Sequence, residues 1–263
     1  MIFELKAAGE TILQPYFSLS DRELKARNLF MAESPNVIER AFDAGIRPVS
    51  LLAERKNMDW IAAHILTRNP DIPVIVGSGE ELSVIKGFPL IRGLLCLMQR
   101  PEEKSVLEIL EHAERICVLY DLCDATNVGA IFRTAAALGY DAVVLSRRAC
   151  DPLSRRSLRT SMGTVFQVPW CKAEDILPEL KNAGFISVCT ALKHDSISLE
   201  NFKMVADGRY ALIFGEEGPG LPEDVIARSD YAVAIPMKSG VDSLNVGAAA
   251  AILLWHFRHN LTP

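Results

Sequence analysis

The chain has 263 residues, of which 49% are hydrophobic and 23% charged, and its formal net charge is −5. This composition is typical of one large globular domain or two smaller ones, and it excludes the strongly basic character that would indicate nucleic-acid binding from composition alone. No apolar run reaches the roughly 20 residues of a membrane span, and the first residues, MIFELKAAGE, do not resemble a signal peptide.

The six cysteines are scattered along the chain and form no Cys-x-x-Cys pair. We therefore expect free thiols in a reducing cytoplasm, no disulfide framework and no metal site.

Short apolar segments alternate with helical patterns along the chain. Strands are predicted at 48–53, 73–77, 93–98, 116–121, 142–146, 165–170, 185–191, 210–215 and 231–236. Helices are predicted at 36–45, 174–184 and 243–257. This alternation favours an α/β fold with mostly parallel strands.

A charged segment around 100–115 contains a proline and is typical of a connecting helix. We expect it to separate an α/β domain at 1–100 from a larger domain at 115–263, with a linker at 101–114.

The first notable junction is YDLCDATNVGAIFRTAAALGYD, where a strand ends at Asp121 and a helix is predicted to begin near Asn127, its N-cap. Gly129 and Arg133 are four residues apart and share one helix face. Two alternatives stay open. Arg133 faces a ligand at the carboxyl ends of the strands, where α/β folds bind ligands, or it pairs with Asp121 or Asp124.

The second junction, LIFGEEGPGLPEDV, runs from a strand directly into Gly215, Gly218 and Gly220. Such a loop lets backbone groups approach a ligand closely, although a tight turn between strand and helix is the alternative. No Gly-Lys-Ser/Thr follows, so the loop is not a Walker motif.

The third junction is IPMKSGVDSLNVGAAAAILLWH, between a strand ending at Pro236 and the last helix. Ser243 is predicted to cap a helix that begins at Leu244. Capping explains neither Asn245 nor Gly240 nor the length of the polar loop.

An arginine-rich segment, SRRACDPLSRRSLRTSMGT, contains one acidic residue, Asp151. The planar guanidinium of arginine matches phosphate oxygens, so a nucleic-acid backbone is a natural partner, and a solvated helix face paired with acids elsewhere is the alternative. The candidate nucleic-acid-binding residues are Arg147, Arg148, Arg155, Arg156 and Arg159.

Together the junctions resemble the SpoU (TrmH) family of the SPOUT superfamily, RNA ribose 2′-O-methyltransferases that use S-adenosylmethionine. The three family motifs appear in order as Asn127-Val-Gly129-Ala-Ile-Phe-Arg133, Gly215-Glu-Glu217-Gly218-Pro-Gly220, and Ile235-Pro-Met237 followed by Ser243-Leu-Asn245-Val. The match covers roughly residues 115–258. One departure is Gly247, where relatives often carry serine, and we expect it to have no consequence.

The resemblance implies a C-terminal parallel sheet with a trefoil knot, a homodimer formed through that domain, and a smaller N-terminal domain that binds RNA. It also implies a cofactor, S-adenosylmethionine, held by Thr190, Gly215, Gly218, Gly220, Ile235, Met237 and Leu244. The implied catalytic residues are Arg133, Asn127, Glu217, Ser243 and Asn245, with Glu217 as the expected charge partner of Arg133. Lys238 and Asp242 have no assigned role.

For Arg133 the resemblance implies that it handles the ribose 2′-hydroxyl, but a guanidinium with a pKa above ~12 rarely releases a proton. Three alternatives stay open: a strongly perturbed Arg133 acts as the base, it orients the hydroxyl toward an RNA phosphate that takes the proton, or it holds that phosphate.

The expected activity is methylation of a ribose 2′-hydroxyl in structured RNA in the cytoplasm, with ribosomal RNA favoured over transfer RNA. One alternative is a catalytically silent RNA-binding scaffold on the same fold. Another is a nucleotide-binding oxidoreductase, which is disfavoured because its glycine-rich turn should follow an early strand.

Overall fold

The computed structural model describes residues 1–17, 19–86, 93–193 and 195–259. The strands are β1 (Ile2–Glu4), β2 (Leu29–Glu33), β3 (Pro48–Glu54), β4 (Val74–Gly77), β5 (Leu94–Gln99), β6 (Arg115–Leu119), β7 (Ala142–Ser146), β8 (Trp170–Ala173), β9 (Phe185–Thr190), β10 (Ile197–Ser198), β11 (Arg209–Phe214) and β12 (Tyr231–Ala234).

The α-helices are α1 (Glu10–Phe17), α2 (Asp21–Ala26), α3 (Pro35–Asp43), α4 (Met58–Ile61), α5 (Gly79–Lys86), α6 (Val106–His112), α7 (Ala125–Ala137), α8 (Arg155–Thr160), α9 (Leu177–Asn182), α10 (Glu223–Arg228) and α11 (Val246–Phe257). A π-helical turn, Ala62–Leu66, continues α4, and short 3-10 turns lie at Leu5–Ala7, Arg55–Asn57, Thr164–Phe166 and Leu199–Asn201.

The chain forms two compact units. The first contains Met1–Glu102 together with Leu153–Phe166, and the second contains Glu103–Pro152 and Gln167–Pro263. Residues 153–166 differ from the expected division, which placed them in the C-terminal domain. Helix α8 packs against β2 of the first unit, and the Arg155 guanidinium lies 3.1 Å from the Asp21 carboxylate.

The first unit has a mixed five-stranded sheet in the order β1-β4-β3-β5-β2. Strands β1, β4 and β3 are parallel, whereas β5 runs antiparallel to both β3 and β2. One face of this sheet packs on α1 and α2 through a core that includes Tyr16, Leu24 and Leu52.

The second unit has a seven-stranded sheet in the order β10-β12-β9-β11-β6-β7-β8, and every neighbouring pair is parallel. The predicted α/β fold with a parallel sheet is therefore confirmed. Its central strands β6 and β11 read as continuous buried runs, as expected for a sheet covered on both faces.

The strand predicted at 165–170 is wrong. Phe166 ends a 3-10 turn and packs against Phe30 in a tilted arrangement, with the ring centroids 5.8 Å apart, and the strand begins only at Trp170. Pro169 lacks an N–H group but its carbonyl accepts from Val143, so it leads into the strand without interrupting the ladder.

Four of the six cysteine thiols are buried and form no disulfide: those of Cys96, Cys117, Cys171 and Cys189. Within the described ranges, no group of histidine, cysteine, aspartate and glutamate side chains is placed to hold a metal ion. In the same part of the chain, no helix has the length and apolar character that crossing a membrane requires.

Candidate active site

The topology of the second unit brings the three polar junctions to one edge of the sheet. Strand β6 leads to α7, β11 leads to the glycine-rich loop, and β12 leads to the loop before α11. Because all these strands are parallel, their carboxyl ends lie at the same edge. Strands β6 and β11 are direct neighbours, so the first two junctions start side by side.

Helix α7 begins at Ala125, and its N-cap lies three residues before the predicted one, Asn127. Asp124 is its N-cap, and the Asp124 carboxylate accepts a hydrogen bond from the Thr126 N–H at 2.8 Å. Asn127 therefore lies in the first turn, where its side chain is not used for capping. Its amide is buried, and it donates to the carboxylate of Glu217 and, at 3.4 Å, to Asp124.

Helix α11 is capped by Asn245, which corrects the prediction of Ser243. The helix begins at Val246, and Asn245 Oδ1 accepts from the N–H groups of Gly247 and Ala248 at 2.9 and 3.4 Å. Ser243 lies two residues before the cap and is exposed to solvent.

Asn127, Glu217 and Asn245 form one hydrogen-bonded cluster, which we call the amide–carboxylate cluster. Asn245 Nδ2 donates to Asn127 Oδ1 at 3.2 Å and lies 3.5 Å from Glu217 Oε1. Each of the three motifs thus contributes one side chain. Two amide groups, and not a cation, fix the Glu217 carboxylate.

Gly247 leaves room for this cluster. A Cβ atom at this position would lie 3.1 Å from Asn245 Oδ1, so this amide would have to move by a few tenths of an ångström, and 3.4 Å from Asn127 Oδ1, an ordinary contact. The departure from serine at this position therefore has a packing consequence that the sequence did not reveal.

The glycine-rich loop closes on itself. The Gly220 N–H donates to the Glu216 carbonyl at 3.0 Å, and a Cβ at Gly215 would lie only 2.6 Å from Gly220 C and Leu221 N. Gly218 and Gly220 adopt φ angles of 89° and 73°, which side chains other than glycine rarely allow. The loop requires glycine at these positions for steric reasons.

A cavity of about 700 Å³ opens between these loops, within the ~300–1,000 Å³ usual for small-molecule sites. Its lining includes every residue proposed from the sequence as cofactor-binding: Thr190, Gly215, Gly218, Gly220, Ile235, Met237 and Leu244. Three of the proposed catalytic residues also line it: Glu217, Ser243 and Asn245.

The lining of the cavity contains both apolar and acidic residues. Aliphatic residues such as Val233, Ile226 and Leu253 line it, as does the glycine-rich loop. Glu216, Glu217 and Glu223 supply carboxylates, and Lys193 forms an ion pair with Glu223. This arrangement suits a ligand that has a flat apolar part and a positively charged part.

Arg133 lies on the exposed side of α7, and the structure gives it no ion pair among the described residues. The two acids named as alternative partners are engaged elsewhere: Asp121 pairs with Arg148, and Asp124 caps α7. Glu217, the expected charge partner, bonds to the two amides of the cluster. Neither Arg133 nor Asn127 is among the described residues that line the cavity.

The five arginines of the basic segment divide between the units. In the second unit, the guanidiniums of Arg147 and Arg148 lie 3.4 and 3.3 Å from carboxylate oxygens of Glu174 and Asp121. In the first unit, Arg155 pairs with Asp21 and donates to the Leu19 carbonyl, and Arg159 lies 3.9 Å from Glu33. Arg156 is exposed, and among the described residues it has no ion pair. Lys238 and Asp242 are exposed as well.

The loop after β6 contains residues that the sequence did not single out. Asp121 has a φ of 52°, a left-handed conformation that costs about 1 kcal/mol for a residue other than glycine. Burial, together with the neighbouring Glu216 carboxylate, raises the pKa of the Cys123 thiol. Burial and then Asp121 raise the pKa of the Tyr120 hydroxyl. Both groups therefore stay protonated near neutral pH.

The chain is similar in sequence to known proteins. The sequence profile of the SpoU rRNA methylase family matches residues 114–255. An uncharacterized tRNA/rRNA methyltransferase of Mycobacterium tuberculosis is 35% identical over 231 residues, which are 86% of this chain and 80% of the relative. The 23S rRNA (guanosine(2553)-2′-O)-methyltransferase of Bacillus subtilis is 28% identical over 240 residues, 90% of this chain and 91% of the relative.

Among solved structures, the AdoMet-bound rRNA methyltransferase from Sinorhizobium meliloti superposes with a TM-score of 0.83 over 97% of both chains. At 24% identity this similarity establishes the fold. The family match covers the whole segment in which the three motifs converge, and it confirms the resemblance inferred from those motifs: the chain belongs to the SpoU rRNA methylase family.

Proposed function

We propose that this protein transfers a methyl group from S-adenosylmethionine to a ribose 2′-hydroxyl in structured RNA. The observation that carries the proposal is the amide–carboxylate cluster at the rim of the cavity, to which all three motifs contribute. Relatives named as rRNA 2′-O-methyltransferases support the same reaction.

The cavity residues fit the cofactor. Ile235, Met237 and Leu244 would provide an apolar wall for the adenine, and the backbone of Gly215, Gly218 and Gly220 can approach it closely. The glutamates of the lining suit the positive charges of the sulfonium and the amino group. S-adenosylmethionine supplies a methyl group that its sulfonium centre already activates for transfer.

The protein's own contribution is orientation and removal of a proton from the hydroxyl. The cluster fixes Glu217 and both amides as one unit, and Ser243 lines the cavity in the same loop as Asn245. Arg133 has no ion-pair partner among the described residues, so its guanidinium is available to the RNA. Because a guanidinium rarely loses its proton, we favour Arg133 as the residue that orients the hydroxyl or holds a phosphate.

We further propose the knotted connection and the homodimer that the family implies. Support for the knot comes from the path of the chain after β12, which pairs with β9 at one side of the sheet. The following helix, α11, packs back on α7 and β11. Support for the dimer comes from the exposed apolar side chains Ile252 and Trp255 on α11.

For the substrate we propose ribosomal RNA rather than transfer RNA, with the first unit as the RNA-binding domain and the cytoplasm as the location. Two relatives, 28% and 27% identical to this chain, are named as 2′-O-methyltransferases of guanosine in 23S rRNA. Arg147, Arg148 and Arg156 are exposed and could contact phosphates directly, whereas Arg155 is partly buried in its ion pair. Mapping 2′-O-methyl groups in RNA from a gene-deletion strain against its parent would identify the nucleotide.

The test of the reaction is Arg133→Ala in a tritiated-methyl assay with RNA from the deletion strain. We expect S-adenosylhomocysteine binding, measured by calorimetry, to stay within about twofold of wild type, because Arg133 is not among the cavity residues. Methyl transfer should fall by at least ~100-fold, as for removal of one positioned transition-state group. Near-normal transfer by this variant would contradict the role of Arg133.

Lys181→Ala is the matched control. Lys181 is also exposed, and it lies at the end of α9, next to the amino end of β9 and so at the opposite edge of the sheet. Its removal changes the net charge equally and should leave methyl transfer intact. A wild-type protein that binds S-adenosylhomocysteine but methylates no RNA would instead favour the silent scaffold.

A further inference from the structure

A polar arrangement beside the active site is used neither by the cofactor cavity nor by the amide–carboxylate cluster. Asp121 follows β6 in a left-handed conformation, with a φ of 52°. Its N–H donates to Ser146 Oγ at 2.8 Å, and the Ser146 hydroxyl donates to Asp121 Oδ1 at 2.7 Å. Ser146 is the last residue of β7, so two neighbouring strands hold the Asp121 carboxylate in place.

The second oxygen of this carboxylate faces Arg148. Arg148 Nη1 lies 3.3 Å from Asp121 Oδ2, and 79% of the Arg148 side chain is exposed compared with 17% for Asp121. A largely buried, fixed carboxylate thus holds an arginine whose remaining donors point to solvent. This differs from an ordinary surface ion pair, which contributes little to stability, because its acid is largely buried and is held by two hydrogen bonds to Ser146.

The pair adjoins the site through Cys123. The Cys123 thiol lies 3.2 Å from the Asp121 carbonyl and 3.9 Å from the Arg148 carbonyl. After burial, the nearby Glu216 carboxylate contributes most to raising the pKa of this thiol. Glu216 directly precedes Glu217 of the amide–carboxylate cluster. Arg148 is therefore on the side of the cluster where the loops after β6 and β11 meet.

The surroundings explain why an RNA strand needs a cation here. Asp124, Glu216 and Glu217 place three carboxylates in or next to the amide–carboxylate cluster, and these carboxylates repel a phosphodiester. Arg133 and Arg148 are exposed in the second unit, whereas the exposed Arg156 and Arg159, which also follow β7, belong to the first unit. Arg147 is held by Glu174, which follows β8 on the far side of β7.

We propose that Arg148 binds an RNA phosphate next to the target ribose, and that Asp121 is a positioning residue that aims Arg148 at it. This inference rests on the proposed function and adds the residue pair that seats the substrate. It predicts an effect on RNA binding and not on the methyl-transfer step itself, because neither side chain is part of the cluster or the cavity lining.

The experiment measures tritiated methyl transfer by the full-length protein to total RNA from the gene-deletion strain. For Arg148→Ala we expect KM for RNA to rise about tenfold with kcat unchanged, the loss of one phosphate contact. The slope of log KM against log salt should fall by about 1. Arg148→Lys keeps the positive charge but lacks the planar guanidinium that bonds two phosphate oxygens at once, so its KM should lie between those of wild type and Arg148→Ala. Lys181→Ala should behave as wild type.

A double-mutant cycle tests the positioning role of Asp121. Asp121→Asn should raise KM about threefold, and the double variant should be no worse than Arg148→Ala alone, since Asp121 acts through Arg148. S-adenosylhomocysteine binding by calorimetry checks that each variant keeps the site. If Asp121→Asn loses it, Ser146→Ala releases the carboxylate without removing the charge and takes its place in the cycle.

Wild-type transfer with an unchanged KM for Arg148→Ala would overturn this inference alone. Strictly additive effects of the two substitutions would overturn the positioning role. Absence of RNA methylation by the wild-type protein would overturn the proposed function and this inference with it.

Discussion

The side chain of Asn245 caps a helix and also bonds to the amide–carboxylate cluster, and two substitutions can separate the effects of these interactions. Its Oδ1 caps α11, whereas its Nδ2 bonds to Asn127 and Glu217. Serine can still cap the helix but is too short to reach Asn127, and alanine can do neither. Asn245→Ser and Asn245→Ala therefore differ by one N-cap.

The magnitudes follow from the contacts. Both variants remove the N–H that donates to Oδ1 of Asn127, a residue that is only 6% exposed. This loss should lower the free energy of unfolding by about 1 kcal/mol in either variant. Loss of the cap should cost a further ~1 kcal/mol in Asn245→Ala. At roughly 2 to 4 °C per kcal/mol for a unit of this size, Tm should fall by about 2–4 °C for serine and 4–8 °C for alanine.

Thermal unfolding followed by circular dichroism measures this difference, and the tritiated-methyl assay measures function. Both variants should lose at least ~10-fold in methyl transfer, the equivalent of about 1.4 kcal/mol, because the amide–carboxylate cluster is broken in both. Ser243→Ala is the control for stability, since Ser243 caps nothing and its loss should leave Tm unchanged. Equal Tm values for the serine and alanine variants would refute the capping argument, and full activity in either would refute the role of the cluster.

Two further predictions follow from the closed loop and from the thiols. Gly215→Ala should abolish S-adenosylhomocysteine binding in calorimetry, because its Cβ would lie 2.6 Å from Gly220 C. The control is Gly9→Ala, which has open space around the added Cβ and should bind normally. Binding by Gly215→Ala would show that the loop can change its conformation to accept the Cβ. With Ellman's reagent at pH 8, the native protein should leave its buried thiols unreacted, since burial raises the pKa of Cys171 to about 12 and those of Cys96, Cys117 and Cys189 as well. Cys123 is exposed but should react more slowly than free cysteine, because its raised pKa leaves less thiolate at that pH; rapid reaction of more than two thiols would contradict this burial.

The convergence of the motifs was predictable because it depends on strand direction alone. Apolar runs ending at polar loops place those loops at one edge of a parallel sheet, and Asn127, Glu217 and Asn245 duly meet there. The cavity lining was predictable only through the family resemblance, since no periodicity identifies Thr190 or Leu244 as facing a ligand.

The local details were less predictable, for identifiable reasons. Each of the two helices has two nearby residues that are good N-caps by residue type: Asp124 and Asn127 for α7, Ser243 and Asn245 for α11. The structure uses Asp124 and Asn245, and this choice depends on how the helices pack, which the local sequence does not show. The left-handed conformation of Asp121 leaves no mark in the sequence. The apolar residues at 165–170 suit a strand, but Phe166 packs against Phe30, and both belong to the first unit. This long-range contact cannot be read from the local sequence.

The amide–carboxylate cluster joins residues that are synthesised far apart in time. Asn127 and Asn245 are 118 residues apart, and Glu217 precedes Asn245 by 28. At a synthesis rate of ~5–20 residues per second, Asn245 is added to the chain roughly 6 to 24 s after Asn127. A cofactor that needs all three loops can stabilise only the finished unit, so its binding reports that folding of the second unit is complete.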